Sequence, residues 1–256
     1  MLLAIDVGNS TTVVGAFDGE TLRHRWVVST QATRSSDETA LLLSGLLDVV
    51  DLAFDRDIRG MVIGSVVPPV TEVLRATCEA YTSVRPVIIG PGVRTGIALR
   101  HDHPQDLGAD RIANAVAVHA FYGGPAIVVD FGTAISFDAV DRAGDFVGGA
   151  IAPGVGTSAD ALVARAARLP TVETTAPPSP VARSTVTALQ SGIVYGFAGL
   201  VDGLVSRISL ELGAGVTTVA TGGGAAPVLD ACGTIDHHDP ALTLKGLRLV
   251  WERNTS

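Results

Sequence analysis

The chain opens on an apolar run from Leu2 to Val7, interrupted once by Asp6 and followed by Gly8. Further runs rich in β-branched and aromatic residues lie at 12–17 and 22–29, and Asp18-Gly19 between them suits a tight hairpin turn. Three strands are therefore predicted at 2–7, 12–17 and 22–29. Ser36 or Asp37 can cap a helix reaching about Phe54, with Leu41, Leu42, Leu46, Val49 and Val50 as its apolar face. A strand at 61–67 stops at Pro68-Pro69, a helix follows to about Tyr81, and Val87 to Ile89 gives a short strand. The segment opened by Gly108 reads as a helix to about Phe121.

The second half repeats this order. Strands are predicted at 126–130, 135–140 and 146–151, then helices interleaved with a strand at 216–220. Thr185 to Leu212 is helical in period but holds four internal glycines, which permit close helix packing, including against a second subunit, at a cost in helix stability. The clearest loop is 174–180, and Asp236 to Asp239 before Pro240 reads as a helix entrance. Strands alternating with helices imply an α/β fold. One internal echo sharpens this: Leu2 to Gly8 and Ala126 to Gly132 each present an apolar run, then Asp-x-Gly, then small polar residues. The second copy begins near the midpoint, which points to a duplicated architecture of two lobes, 1–122 and 123–256, with a cleft between them.

Charge narrows the partners. Asp and Glu number 26 against 18 Lys and Arg, a net charge of -8 without a basic block, so neither nucleic acid nor an anionic membrane is an expected partner. Lys245 is the only lysine and GxxxxGK[ST] is absent, so phosphate chemistry here does without a P-loop lysine. The longest apolar runs are broken by Gly, Asp or Arg, and no transmembrane helix or signal peptide is expected. Two distant cysteines, Cys78 and Cys232, indicate neither a zinc site nor a disulfide framework, and a reducing cytoplasm is the simplest location.

Several segments can carry chemistry. Asp6-Val7-Gly8-Asn9-Ser10-Thr11-Thr12 lies between two strands; Gly8 admits a ligand close to the backbone, and the following amides and hydroxyls suit phosphate. Asp6 can hold Mg²⁺ directly or through water. By itself the segment is equally an ordinary Asx-Gly turn. Asp130-Phe131-Gly132-Thr133-Ala134 repeats the device, and two such loops facing each other offer what a nucleoside triphosphate needs. Asp110 alone reads as a helix cap and Arg111 as a surface residue. Beside a phosphate site, however, Asp110 can take a hydroxyl proton and Arg111 can pair with an anionic substrate. Gly148 to Gly154 and Thr221 to Gly224 each precede a helix, whereas Gly90 to Gly96 misses the dinucleotide fingerprint. His237 and His238 are adjacent and point apart, and His119 reads as a packed histidine.

Four motifs in order then identify a resemblance: Asp-x-Gly-Asn-Ser at 6–10, Gly-Ala-Asp-Arg at 108–111, Asp-Phe-Gly-Thr-Ala at 130–134 and Gly-Gly-x-Ile-x-Pro-Gly at 148–154. Over essentially its whole length the sequence resembles type III pantothenate kinases of the acetate and sugar kinase/actin superfamily. The resemblance implies a duplicated ribonuclease-H-like fold, a homodimer, and phosphorylation of pantothenate by ATP as the first step of coenzyme A synthesis. It implies Mg²⁺ and a monovalent cation, K⁺ or NH₄⁺. Residue by residue, it makes Asp110 the proton acceptor and places Gly108, Ala109, Asp110, Arg111 and Thr185 at pantothenate. Asp6, Val7, Gly8, Asn9, Ser10, Thr11, Thr12 and Val13 match the ATP phosphate loop, Thr133 another ATP contact, and Asp130 the monovalent-cation ligand.

Three positions depart from the pattern. Ser10 and Ser136 stand where the family has Thr, and both keep the hydroxyl. His101 stands where the family often has a substrate-contacting Tyr; imidazole also donates a hydrogen bond, with a different reach and pH dependence. A kinase for another small hydroxy acid, a phosphatase, and a nucleotide-binding regulator of the same fold are the rival readings of the sequence.

Overall fold

In the computed structural model, which describes residues 1–255, the opening run forms β1 (Leu2–Val7), buried at every position except the half-buried Asp6. A strand apolar on both faces belongs in the middle of a sheet covered on both sides. β2 (Thr11–Asp18) and β3 (Thr21–Ser29) fold back antiparallel on one side of it. β4 (Gly60–Ser65) and β5 (Val87–Ile88) add in parallel on the other, giving the order β3-β2-β1-β4-β5. The register sets Asp6 opposite Val13 and alongside Gly64.

Two helices, α1 (Ser36–Asp48) and α2 (Pro68–Tyr81), belong to this sheet's unit. A capping box starts α1: Glu38 N–H donates to Ser35 Oγ at 3.2 Å, and Ser35 N–H donates to Glu38 Oε2 at 2.8 Å. Its buried face is Thr39, Ala40, Leu43 and Leu47, while Leu41 and Val49 of the expected apolar face are 74% and 80% exposed. Leucine doublets at 42–43 and 46–47 leave the periodicity undecided, and packing on the sheet selects Leu43 and Leu47. The helix also ends before Phe54, because Leu52 N–H closes back on Leu47 O through Asp51, whose φ is 60°. Asp serves there where glycine is the usual stop signal.

The second sheet repeats the first strand for strand. β6 (Ala126–Phe131) is buried except at the half-buried Asp130, the same pattern as β1. β7 (Ala134–Val140) and β8 (Phe146–Pro153) are antiparallel on one side, and β9 (Thr217–Thr221) and β10 (His237–His238) parallel on the other. The order β10-β9-β6-β7-β8 thus matches the first sheet position by position, with Asp130 alongside Thr221 as Asp6 is alongside Gly64. The echo in sequence is a duplicated fold. The helices of this half are α4 (Val155–Arg165), α5 (Thr185–Leu212) and the short α6 (Ala226–Leu229). His237 and His238 lie in the edge strand β10, not in a helix entrance, because their backbone pairs with Val219 and Ala220.

The 28-residue α5 is long and apolar enough to span a membrane by length and composition alone, contrary to the expectation from its interruptions. Its buried residues Ile193, Val194, Ala198, Val201 and Val205 mark it as a helix that packs within its own unit, and four of them join a core with Ile127, Val129 and Phe137. The chain forms two units, one of residues 1–97, 102–117 and 242 onward, the other of 98–101 and 118–241. α3 (Ala109–Tyr122) begins in the first unit. So does the last helix, α7 (Leu242–Thr255), which packs on the first sheet although it follows β10. Leu244 and Leu247 lie over Gly15 and Gly64, where an added Cβ would stand 2.8 Å from a leucine methyl.

α7 also grips α3. Gly246 is pressed on the Ala113 carbonyl so closely that a Cβ would overlap it, and Thr243 Oγ1 donates to the buried Asn114 Oδ1 at 2.8 Å. Gly246→Ala should therefore lower the thermal midpoint by the equivalent of about 1–3 kcal/mol of overpacking. Gly45→Ala, on an exposed stretch of α1 where a Cβ meets nothing within 4 Å, should raise it, and differential scanning calorimetry on both variants checks the pair.

Candidate active site

The turn after β1 is built to present polar groups. Gly8 N–H donates to Thr11 O at 2.9 Å, and Thr30, from the end of β3, ties the turn down through Oγ1 to Gly8 O at 2.7 Å. Thr12 Oγ1 lies 2.9 Å from Thr30 Oγ1, so the hydroxyls form a short relay behind the turn. Asn9, Ser10 and Thr11 are left exposed in front of it, on a backbone fixed from behind. Such a turn can accept an anion through amides and hydroxyls without a charged side chain.

Asp110 reaches the same end of the first sheet through named neighbours. A Cβ on Gly64, beside Asp6 in the sheet, would stand 3.5 Å from Ala109 Cβ at the start of α3. Val66 N–H donates to Val7 O at 3.0 Å, and Val66 Cγ1 would lie 3.4 Å from a Cβ on Gly108. Asp110 Oδ1 occupies the space that a Gly108 side chain would need, and Arg111 N–H donates to it at 2.8 Å. Burial pushes this carboxyl above the ordinary carboxylate range, while the backbone N–H and the guanidinium of Arg111 work in the opposite direction. A half-buried carboxylate with raised proton affinity, fixed at a helix start, is suited to receive a proton.

The second unit builds the equivalent strand end differently. Gly222, at φ 90°, lies where a Cβ would stand 2.5 Å from Asp130 Oδ1, so only glycine leaves that carboxylate its place. Gly224 N–H donates to Phe131 O at 2.9 Å, joining the glycine-rich turn after β9 to the end of β6. Thr133 O accepts from Gly154 N–H at 3.1 Å and from Thr157 Oγ1 at 2.8 Å, which seats the turn on the start of α4. The backbone N and O of Phe131 crowd the same spot as Asp130 Oδ1, each 2.6 Å from the Gly222 Cβ position. A carboxylate oxygen suits a hard cation. No cluster of three His, Cys, Asp or Glu side chains is found among the described residues, so a divalent ion would complete its shell from phosphate and water.

Two expected substrate residues belong to the second unit. His101 sits on the short segment 98–101 of the second unit, its ring centroid 6.4 Å from that of Phe146. Thr185 is exposed at the first turn of α5, just after the Ser184 cap. Within the first unit, then, the 6–13 loop and 108–111 come together; within the second, Asp130, Thr133 and the Gly222 turn do. Sequence reading missed Gly64 and Val66, which link Asp6 to Asp110. Their only signal was a small residue and a β-branched residue at the end of a buried strand.

The comparisons with known proteins bear on what this geometry is for. The family described as type III pantothenate kinase matches residues 2–207. A type III pantothenate kinase of Moorella thermoacetica is 49% identical over 255 residues, covering 100% of both chains. One from Streptomyces coelicolor is 51% identical over 263 residues, covering 100% of this chain and 99% of its own. This chain belongs to the type III pantothenate kinase family. Two solved structures share the fold alone. The activator of 2-hydroxyisocaproyl-CoA dehydratase from Clostridium difficile has a TM-score of 0.60 at 13% identity, over 99% of this chain and 94% of its own. The ROK hexokinase of Thermus thermophilus has 0.52 at 16%, over 100% and 99%.

As a pantothenate kinase, the chain catalyses phosphoryl transfer to pantothenate, the first step of coenzyme A biosynthesis, using ATP and a divalent metal. The burial of Asp110 also has a thermodynamic consequence. A carboxyl whose pKa is raised by folding binds more protons folded than unfolded between its two pKa values, so its contribution to stability falls as pH rises through that interval. Asp110→Asn keeps the Oδ1 acceptor for Arg111 N–H and removes the desolvated charge. At pH 7 its thermal midpoint should equal or exceed that of the parent, and the gain should vanish as the pH falls toward about 4. Thermal melts across pH 4 to 8 check this; a lower midpoint for Asp110→Asn at pH 7 contradicts it.

Proposed function

We propose that Asp110 accepts the proton of the primary hydroxyl of pantothenate during in-line attack on the γ-phosphorus of ATP. In this reading His101, Gly108, Ala109, Arg111 and Thr185 contact pantothenate. Asp6, Val7, Gly8, Asn9, Ser10, Thr11, Thr12 and Val13, with Thr133, contact ATP. The observation that carries it is the half-buried Asp110 carboxylate of raised proton affinity, seated on Gly108 beside the strand end that bears Asp6. Phosphoryl transfer asks little covalent chemistry of a protein, so a fixed base and a rigid polar turn are what the chain has to supply.

Asp6 is assigned to Mg²⁺ and Asp130 to a monovalent cation, K⁺ or NH₄⁺. A carboxylate matches the charge and hardness of such ions. When bound, these cations supply the positive charge at the phosphates that other kinases take from lysine. Cys78 and Cys232 are unpaired, which agrees with a cytoplasmic location.

The test is ADP release from ATP and Mg²⁺, with and without pantothenate, in K⁺, NH₄⁺ and Na⁺ buffers. Turnover should require pantothenate, and K⁺ or NH₄⁺ should exceed Na⁺. Asp110→Asn should lower kcat on the order of 100- to 10,000-fold while ATP still binds. Equal rates in all three salts would remove the assignment of Asp130, and an Asp110→Asn enzyme of normal kcat would remove that of Asp110.

A homodimer built on α5 completes the reading. Gly192, Gly196, Gly199 and Gly203 fall on one stripe of that helix, and at the first three a Cβ meets nothing within 4 Å. Packing inside this chain therefore does not require glycine there. Gly196→Leu should leave the fold intact and shift the mass by light scattering from dimer to monomer at micromolar concentration. A parent chain that is already monomeric rules the interface out.

A further inference from the structure

Residues 98–101 extend the second sheet beyond β8. Phe146 N–H donates to Ala98 O at 3.0 Å, Arg100 N–H donates to Phe146 O at 2.8 Å, and Leu99 bridges Phe146 in parallel. A carboxylate fastens both ends of this short pairing. Asp145 Oδ1 accepts from Ala98 N–H at 3.1 Å, and its Oδ2 accepts from Arg100 Nε and Nη2 at 3.2 and 2.7 Å.

Asp145 is itself set by the turn before β8. Its N–H and that of Ala143 donate to Asp141 Oδ1 at 3.0 and 2.9 Å, and Gly144 N–H donates to Asp141 O at 3.0 Å. Asp141 Oδ2 also lies 3.8 Å from Arg100 Nη2. Arg100 holds the Asp145 carboxyl below its usual range, so the pair is ionised at neutral pH. An ion pair whose arginine is 62% exposed adds little to folding. What it does fix is geometry, because the next residue is His101, whose ring is tilted at 48° to that of Phe146.

We propose that Asp145, through Arg100 and the Ala98 N–H, positions His101 for pantothenate. Asp145 is a positioning residue here: it grips the segment at 98 and 100, and Phe146 supplies the surface against which the imidazole rests. The inference rests on the reading of His101 as a pantothenate contact, and the test separates the two.

Steady-state kinetics on the full chain would compare Asp145→Ala, Asp145→Asn, His101→Ala and the Asp145→Ala/His101→Ala double variant. Asp145→Ala and His101→Ala should each raise KM for pantothenate on the order of three- to tenfold, with KM for ATP unchanged. The double variant should be no worse than His101→Ala, and Asp145→Asn, which keeps an acceptor for Ala98 N–H, should recover part of the loss. If Asp145→Ala does not fold, Arg100→Ala at an exposed site carries the same comparison. Multiplying effects in the double variant overturn the proposal, as does a normal pantothenate KM in Asp145→Ala when His101→Ala raises it. A normal pantothenate KM in His101→Ala overturns the contact reading itself, and the positioning role with it.

Discussion

A carboxylate at the end of a buried strand or at a helix start must be held close to backbone, where a neighbouring side chain would collide with it. Both halves of this protein meet that constraint by removing a side chain from the neighbouring residue. Asp110 Oδ1 fills the space over Gly108, and Asp130 Oδ1 fills the space over Gly222. In each case the glycine lets an acid approach main-chain atoms that any other residue would screen. At Asp110 the resulting burial raises the carboxyl's proton affinity. Much of the surrounding architecture serves to keep those contacts fixed: parallel pairing of β4 and β9 beside the central strands, and the grip of α7 on α3 through Gly246.

The duplication explains why this solution appears twice, and the differences show how the halves diverged. Asp6 and Asp130 hold the same place on β1 and β6, each the one half-buried position of its strand. After the first, the turn closes from Gly8 N–H to Thr11 O and exposes three polar residues; after the second it closes one residue sooner, from Gly132 N–H to Ala134 O. After β4 the chain runs through Val66 into a proline-started helix, whereas after β9 it runs through three glycines. One half therefore has an open polar loop beside a helix start, and the other a carboxylate packed on a glycine turn. These are two different strand ends raised on one topology.

Much of this was legible in the sequence, for identifiable reasons. Strand positions were readable because the buried runs are short and bounded by Gly, Pro or Asp-Gly, and α2 because Pro68 and Pro69 can only start a helix. The four motifs made the family readable. The buried face of α1 was not, since Leu42, Leu43, Leu46 and Leu47 leave two faces nearly equal until a sheet chooses. His237 and His238 were misplaced because a two-residue edge strand is specified by its neighbour β9 and not by its own composition. Pairings such as Gly222 with Asp130 and Asp145 with Ala98 join residues far apart in the chain, and nothing local announces them.

Charge sets the remaining terms. A chain of net -8 gains no long-range attraction for a nucleoside triphosphate, and its single lysine lies on α7. Several arginines are already engaged within the fold: Arg100 with Asp145, the buried Arg248 with Glu252, and Arg253 with the Thr95 carbonyl. Screening limits the effect of the distant acidic surface to about 8 Å at physiological ionic strength, so recognition of phosphate must be local. The amides and hydroxyls exposed by the turn after β1 are local groups of the kind that can accept an anion. In a kinase with a single lysine, the divalent metal that accompanies ATP carries charge that a P-loop lysine supplies elsewhere.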